Sequence, residues 1–191
     1  MSVSQFTVLY DACVLYPAPL RDLLMHLALT DLFRAKWTDA IHDEWTRNVL
    51  KNRSDLKPEQ LQRTRALMNT NVLDCLVTGY EDLIPTLTLP DPGDRHVLAA
   101  AIRAKASVIV TFNLADFPAD MLVKRGIKAM HPDEFVISQL ALAPDVVRLA
   151  AKRQRESLKN PPKSVQEYLE ILERQGLPET AAVLRQFAEL I

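Results

Sequence analysis

The chain has 191 residues, 48% of them hydrophobic, with 23 basic and 24 acidic side chains, a formal charge of −1 and a pI near 6.4. That length buries one good core with an appendage but not two full domains, and the balanced charge excludes an overall electrostatic pull toward nucleic acid, so any such binding rests on local patches. Two cysteines, Cys13 and Cys75, without metal-type spacing, exclude a disulfide framework or zinc knuckle and fit a reducing cytosol.

Residues 6–10, FTVLY, are aromatic and β-branched and predict a buried parallel strand ending at Asp11, followed by a proline-rich turn. Apolar residues at 20, 23, 24, 27 and 28 predict a helix over 20–29. A short strand is expected over 34–37. Thr38 then caps a helix starting at Asp39, in which Ile41, Trp45 and Val49 face the core and Glu44 lies at the edge of that stripe. A polar helix is expected over 59–68, a strand over 72–77, and a loop over 81–93, which holds Pro85, Pro90 and Pro92.

From Asp94 the run HVLAAAIRAKA predicts a small-residue helix, and SVIVTF at 107–112 a second buried strand running into Asn113. The order βαβα implies a parallel sheet, whose ligands bind beyond the carboxyl ends of the strands. Past residue 133 strand signals vanish. Three amphipathic helical stretches, 144–158, 164–175 and 178–190, predict an all-helical C-terminal extension, so the expected division is 1–142 and 143–191. The N-terminus has no basic segment followed by an apolar stretch, and no run reaches the ~20 apolar residues of a membrane span, so a cytoplasmic protein with no membrane association is expected.

Four carboxylates fall where these elements deliver them to one rim of the sheet: Asp11, Glu44, Asp94 and Asp116. Gathered without a cation they would repel one another; Mg²⁺ or Mn²⁺, hard ions that take oxygen ligands, removes that cost. Such an ion also polarises a phosphoryl oxygen and activates water, which points to phosphodiester hydrolysis. Each residue has an ordinary reading as well: Asp11 and Asp116 as turn residues, Glu44 as a partner of Arg47, Asp94 as a helix cap. All four in this order favour one shared site. Among the scattered histidines 26, 42, 96 and 131, His96 is nearest to it, while Trp37 and Trp45 sit on apolar faces and belong to the core.

The same motifs in the same order resemble the PIN-domain nucleases: a first strand ending in Asp11, Glu44 on an early helix, DPGDRHVLAAAI with Asp94, and TFNLADFP with Asn113 and Asp116. The likeness spans residues 5–135. It implies a three-layer α/β/α domain in which Asp11, Glu44, Asp94 and Asp116 hold one or two Mg²⁺ or Mn²⁺ ions and Asn113 orients the last turn. Asp91 stands either as an extra ligand or as part of the turn that starts the helix. The implied activity is metal-dependent endoribonuclease, and many bacterial and archaeal members look like VapC-type toxins held by a small antitoxin protein. The helical tail is similar to that of a longer VapC-like subgroup, and families of this kind are usually homodimeric.

Two readings from other classes stand beside it: an RNA-binding or protein-binding module without useful turnover, and a metal-dependent nuclease with no antitoxin. An aspartyl phosphotransferase is disfavoured because Cys13 occupies the position of the second aspartate, and a dinucleotide fold because the first turn, DACVLYPAP, lacks glycine. Lys124, Arg125 and Lys128 are candidate RNA contacts. Arg148, Lys152, Arg155 and Lys159 share a helical face that reads as a phosphate-following stripe or, more commonly, as a solvated one. Leucines and methionines of helices 20–29 and 59–68 offer a groove for an antitoxin, with ordinary core packing as the competing explanation.

Overall fold

The computed structural model describes residues 6–191; residues 1–5, the start of the expected first domain, lie outside the described residues. In chain order the elements are β1 (Thr7–Tyr10), α1 (Ala12–Leu15), α2 (Ala18–Ala28), β2 (Arg34–Lys36), α3 (Asp39–Asn52), α4 (Pro58–Asn71), α5 (Arg95–Arg103), β3 (Val108–Val110), α6 (Ala119–Leu122), β4 (Lys128–Met130), α7 (Pro132–Leu142), α8 (Pro144–Ser157), α9 (Val165–Arg174) and α10 (Pro178–Arg185). They form two compact units. One holds the described residues up to Tyr16 together with Phe33–His131; the other holds Pro17–Leu32 and Pro132–Ile191. The division is therefore not the 142/143 boundary expected from the sequence, since α7 and the first long helix α2 both group with the C-terminal helices.

In the first unit four short strands form a wholly parallel sheet in the order β2-β1-β3-β4. Val8 pairs in register with Ala35 on one side and Val108 on the other, and Val108 in turn with Lys128. The chain leaves β1 to one side for β2 and returns on the other side as β3, so the carboxyl ends of β1 and β3 mark the topological switch point where ligands bind in such sheets. Val8, Leu9, Tyr10, Ile109 and Val110 are completely buried, as strands covered on both faces must be. This is the α/β/α arrangement with a helical C-terminal region.

The helices follow from their sequences. Thr38 accepts the Ile41 amide at 3.0 Å and starts α3, and Ile41, Trp45 and Val49 turn inward as expected. Each large apolar side chain buried this way contributes about 1.5–3 kcal/mol. In α5 the run Val97–Ala101 is buried throughout, its small side chains allowing close approach to the sheet. Trp37 and Trp45 are core residues, joined by a polar chain. Trp45 Nε1 donates to His42 Nδ1 at 3.0 Å, which leaves Nε2 as the protonated nitrogen facing Asn69 Oδ1 at 2.9 Å, and Trp37 Nε1 donates to the same oxygen at 2.8 Å.

Several expectations are corrected. The 72–77 segment is not a strand: Leu76 makes a single bridge to Trp37, because exposed Leu73 and the left-handed backbone of Asp74 break the extended run. The turn after Asp11 contains a short helix, α1, and the 81–93 loop contains 3₁₀ turns at Glu81–Thr86 and Pro92–Asp94. β4 and α7 were not foreseen.

The second unit packs α2 with α8 and α9, and α10 with α7 and α9. Leu20, Leu23, Leu24 and Leu27 of α2 form its core, as do Leu169 and Leu172 of α9. Buried Gln154 donates to Pro19 O at 2.8 Å and accepts from the Tyr168 hydroxyl at 2.7 Å, pinning α8 to both neighbours. Asp133 caps α10, accepting from the Glu179 and Thr180 amides and the Thr180 hydroxyl at 2.6–2.9 Å. No helix among the described residues is long and apolar enough to cross a membrane.

Candidate metal centre

Asp11 is the residue at which β1 stops. Its amide bonds to Val110 O at 3.1 Å and so extends the ladder by one step, while its carboxylate turns to cap α1, accepting from Ala12 N at 2.6 Å. The other carboxylate oxygen accepts the Thr111 hydroxyl at 2.7 Å and the Cys13 thiol at 3.2 Å. Thr111 follows β3, and its Oγ1 accepts the Asn113 amide at 3.0 Å. Cys13 Sγ accepts the Phe112 amide at 3.3 Å. Burial raises the Asp11 pKa, the three donors work against that, and Glu44 adds to the rise. Burial, followed by the Asp11 charge, pushes the Cys13 thiol up to about 12, so it serves as a neutral donor and not a nucleophile.

Asp94 stands at the start of α5 without using its side chain as a cap. The capping is done one turn earlier: Asp91 Oδ1 accepts the Gly93 amide at 2.7 Å, and a Cβ at Gly93 would meet that oxygen at 3.0 Å, so glycine keeps the turn tight. Asp94 is thereby left to face the other acids. Burial is the largest cause of its rise to a pKa of about 7; the charges of Asp11, Asp116, Asp91 and Glu44 follow in that order. One of its oxygens, Oδ2, is fully enclosed and has no hydrogen-bond partner.

Glu44, half-buried on α3, does not take the Arg47 partner its spacing offers; its Oε2 lies 3.5 Å from His96 Nε2. The Asn113–Asp116 turn closes through the main chain, Asp116 N donating to Asn113 O at 3.0 Å. An open cleft of about 500 Å³ is walled by Asp43, Glu44, Arg47, Asp91, Asp94 and His96.

The structure thus brings Asp11, Glu44, Asp91, Asp94 and Asp116 within electrostatic reach of one another at the carboxyl rim. As the side chains are placed, no group of three His, Cys, Asp or Glu among the described residues stands close enough to hold one metal ion. The donor set nevertheless fits a hard divalent cation: it is all carboxylate, it is crowded with like charge, and it contains an enclosed oxygen with nothing to bond to.

Other residues are not brought to this rim. Lys128 opens β4 level with Val108 and Val8, about 10 Å back along the strands from Asp11, and Lys124 and Arg125 lie in the turn before it. These three are at the amino-terminal rim, not beside the carboxylates, because a parallel strand entered after a crossover starts at the opposite end of the sheet. The α8 stripe is partly absorbed into its own unit. Arg148 pairs with Asp145 and covers the Phe187 ring, and Arg155 donates to Lys163 O. The proposed groove is likewise core, with Leu20, Leu23, Leu24, Leu27, Leu61 and Met68 buried, whereas Leu67 remains outside. Thr111 and Cys13 were missed as partners of Asp11; adjacent pairing of the two strands that end in Asp11 and Thr111 is the signal that could have found them.

A parallel α/β sheet whose switch point carries a crowd of carboxylates defines a class of acidic-rim domains suited to divalent cations. A PIN-domain profile matches residues 7–115, and a VapC50 C-terminal-domain profile matches 132–186. The chain belongs to the PIN-domain family. Over 108 residues, 56% of this chain, it is 41% identical to a Mycobacterium tuberculosis protein (strain ATCC 25618 / H37Rv) named "Putative ribonuclease VapC50". The aligned stretch spans 63% of that curated relative's length. No solved structure is matched.

Proposed function

We propose that the protein is an endoribonuclease dependent on Mg²⁺ or Mn²⁺, hydrolysing RNA phosphodiester bonds in the cytoplasm as the toxin of a toxin–antitoxin pair held by a small antitoxin protein. The observation that carries this reading is Asp94, whose partnerless oxygen and raised pKa mark a place where negative charge awaits a cation. The ribonuclease name of the 41%-identical relative supports the choice of RNA as substrate and of VapC-type biology.

Asp11, Glu44, Asp94 and Asp116 would hold one or two ions, with Asp91 chiefly occupied in capping its own turn. A bound divalent cation supplies Lewis acidity toward a phosphoryl oxygen and lowers the pKa of water. Thr111 and Cys13 fix the orientation of Asp11 by donating to one oxygen, and Ala12 N fixes the other. His96 steadies Glu44 from across the cleft. Asp94, with its pKa near 7, carries a proton part of the time at neutral pH and must release it when a cation binds, so cation affinity rises with pH.

The test is cleavage of total RNA by the purified protein with Mn²⁺ or Mg²⁺ and with chelator, beside Asp94→Asn. Discrete products that require both the ion and Asp94 support the assignment. Absence of cleavage by folded protein freed of co-purifying partners, whichever ion is supplied, defeats it in favour of a binding module.

A further inference from the structure

The cleft beside the carboxylates holds a cation whose charge is not used by the fold. Arg47 lies on α3 with Asp43 and Glu44 at the i−4 and i−3 positions, where an ion pair would ordinarily form. Both acids are engaged elsewhere: Asp43 with Arg65 at 2.6 Å, and Glu44 beside His96. No described residue makes a hydrogen bond or ion pair with Arg47, which is exposed in the cleft wall. A guanidinium left unpaired next to several carboxylates is suited to a ligand that brings its own negative charge into the cleft. Its planar fork matches two phosphate oxygens at once.

Position narrows the role. Arg47 is three residues past Glu44 on the same face of α3, about 4.5 Å further along the helix axis. Its backbone therefore stands about one turn beyond that of Glu44, while its side chain shares the cleft wall with Asp91 and Asp94. We propose that Arg47 anchors a backbone phosphate of single-stranded RNA next to the one that is cut, a reading that rests on the nuclease assignment above. It binds ground state and transition state alike, so it sets affinity and the register of the strand more than the rate of the chemical step. In a domain whose rim repels a polyanion, it supplies attraction at the point of entry.

The experiment compares wild type, Arg47→Ala and Arg47→Lys. Fluorescence anisotropy of a 5′-fluorescein single-stranded RNA 15-mer, with Ca²⁺ as the ion, measures binding across a salt series; cleavage of the same RNA with Mn²⁺ gives KM and kcat. Arg47→Ala is expected to weaken binding about tenfold, to reduce the salt slope by about one, and to raise KM about tenfold with kcat within about twofold. Arg47→Lys recovers part of the affinity, because it keeps the charge but loses the fork. Unchanged affinity and salt slope in Arg47→Ala overturn the anchor while leaving the nuclease reading intact. A fall in kcat at constant KM also overturns it. Wild-type binding without cleavage sinks the nuclease reading, and the binding series still decides Arg47; wild type that neither binds nor cleaves removes both.

Discussion

Replacing Asp94 by Asn removes one negative charge from the rim without changing shape, and in chelator this should stabilise the protein. The Asp94 pKa is raised from 3.8 to about 7. At about 1.4 kcal/mol per unit the shift corresponds to about 4 kcal/mol as an upper bound, but the group is partly exposed and screening trims this to about 1–2 kcal/mol. Because the folded pKa lies above the unfolded one, the wild type loses no stability from this group below about pH 4. It loses stability progressively as pH rises, and the loss is complete above about pH 7. The advantage of Asp94→Asn is thus near zero at pH 4 and full at pH 8, where about 1–2 kcal/mol corresponds to roughly 2–8 °C in Tm for a chain of this size. Thermal melts in EDTA at pH 5, 6.5 and 8 measure it. Mn²⁺ added at pH 8 should raise the wild-type Tm and raise that of the variant less. A variant less stable than wild type at pH 8 in EDTA, or one whose advantage does not grow with pH, refutes the argument that carboxylate crowding is stored at this rim.

Thr111→Val keeps the shape but strips Asp11 of its shortest side-chain donor and the Asn113 amide of its acceptor; urea unfolding should show a loss of about 1–3 kcal/mol, with cleavage reduced as well. Asp133→Ala leaves two amides and a hydroxyl at the start of α10 unpaired and should cost about 2–4 kcal/mol by the same measurement, far more than the exposed control Asp145→Ala. Burial holds the His42 pKa below its usual 6.5, so its contribution is full above that value and is lost as pH falls toward the depressed folded pKa. Protonation also removes the acceptor for Trp45. Stability should therefore rise with pH over this window in Asp94→Asn, where the opposing Asp94 effect is absent, and flatten when His42→Phe is added; an unchanged slope in the double variant argues against a buried neutral imidazole.

What could be read from the sequence was whatever a local pattern determines. The aromatic and β-branched run before Asp11, the Thr38 cap and the small-residue helix behind Asp94 each carry their own signal within a dozen residues, so Asp11 after β1, Glu44 on α3 and Asp94 before α5 were legible as positions. Long-range pairing was not legible. Thr111 and Cys13 meet Asp11 only because β1 and β3, about a hundred residues apart, are neighbours in the sheet. Lys128 was assigned by closeness in sequence to Asp116, yet sequence distance does not reveal which end of a strand a residue occupies. β4, with the sequence KAM, is too short and too poor in β-branched residues to announce itself. The grouping of α2 with the C-terminal helices was hidden for a related reason: its leucine stripe fits a crossover helix and a bundle helix equally well.

The way charge is distributed in the first unit favours the proposed binding rim over a structural cluster. Arg65 is spent on Asp39 and on Asp43 at the cleft wall, Arg103 on Asp82, and Lys36 on Asp74, while none of these cations pairs with Asp11, Asp94 or Asp116. Asp11 is held by a hydroxyl, a thiol and an amide, which are neutral donors, although an arginine would lower its energy more. A cluster selected for stability would have placed one of those cations at the switch point, where burial makes an unpaired carboxylate costly. Orienting Asp11 by neutral groups leaves its carboxylate without a cationic partner of the protein's own, open to a ligand that arrives from solution. Arg47 stands in the cleft wall with no partner among the described residues, so a phosphate entering the cleft meets its guanidinium without first breaking an ion pair.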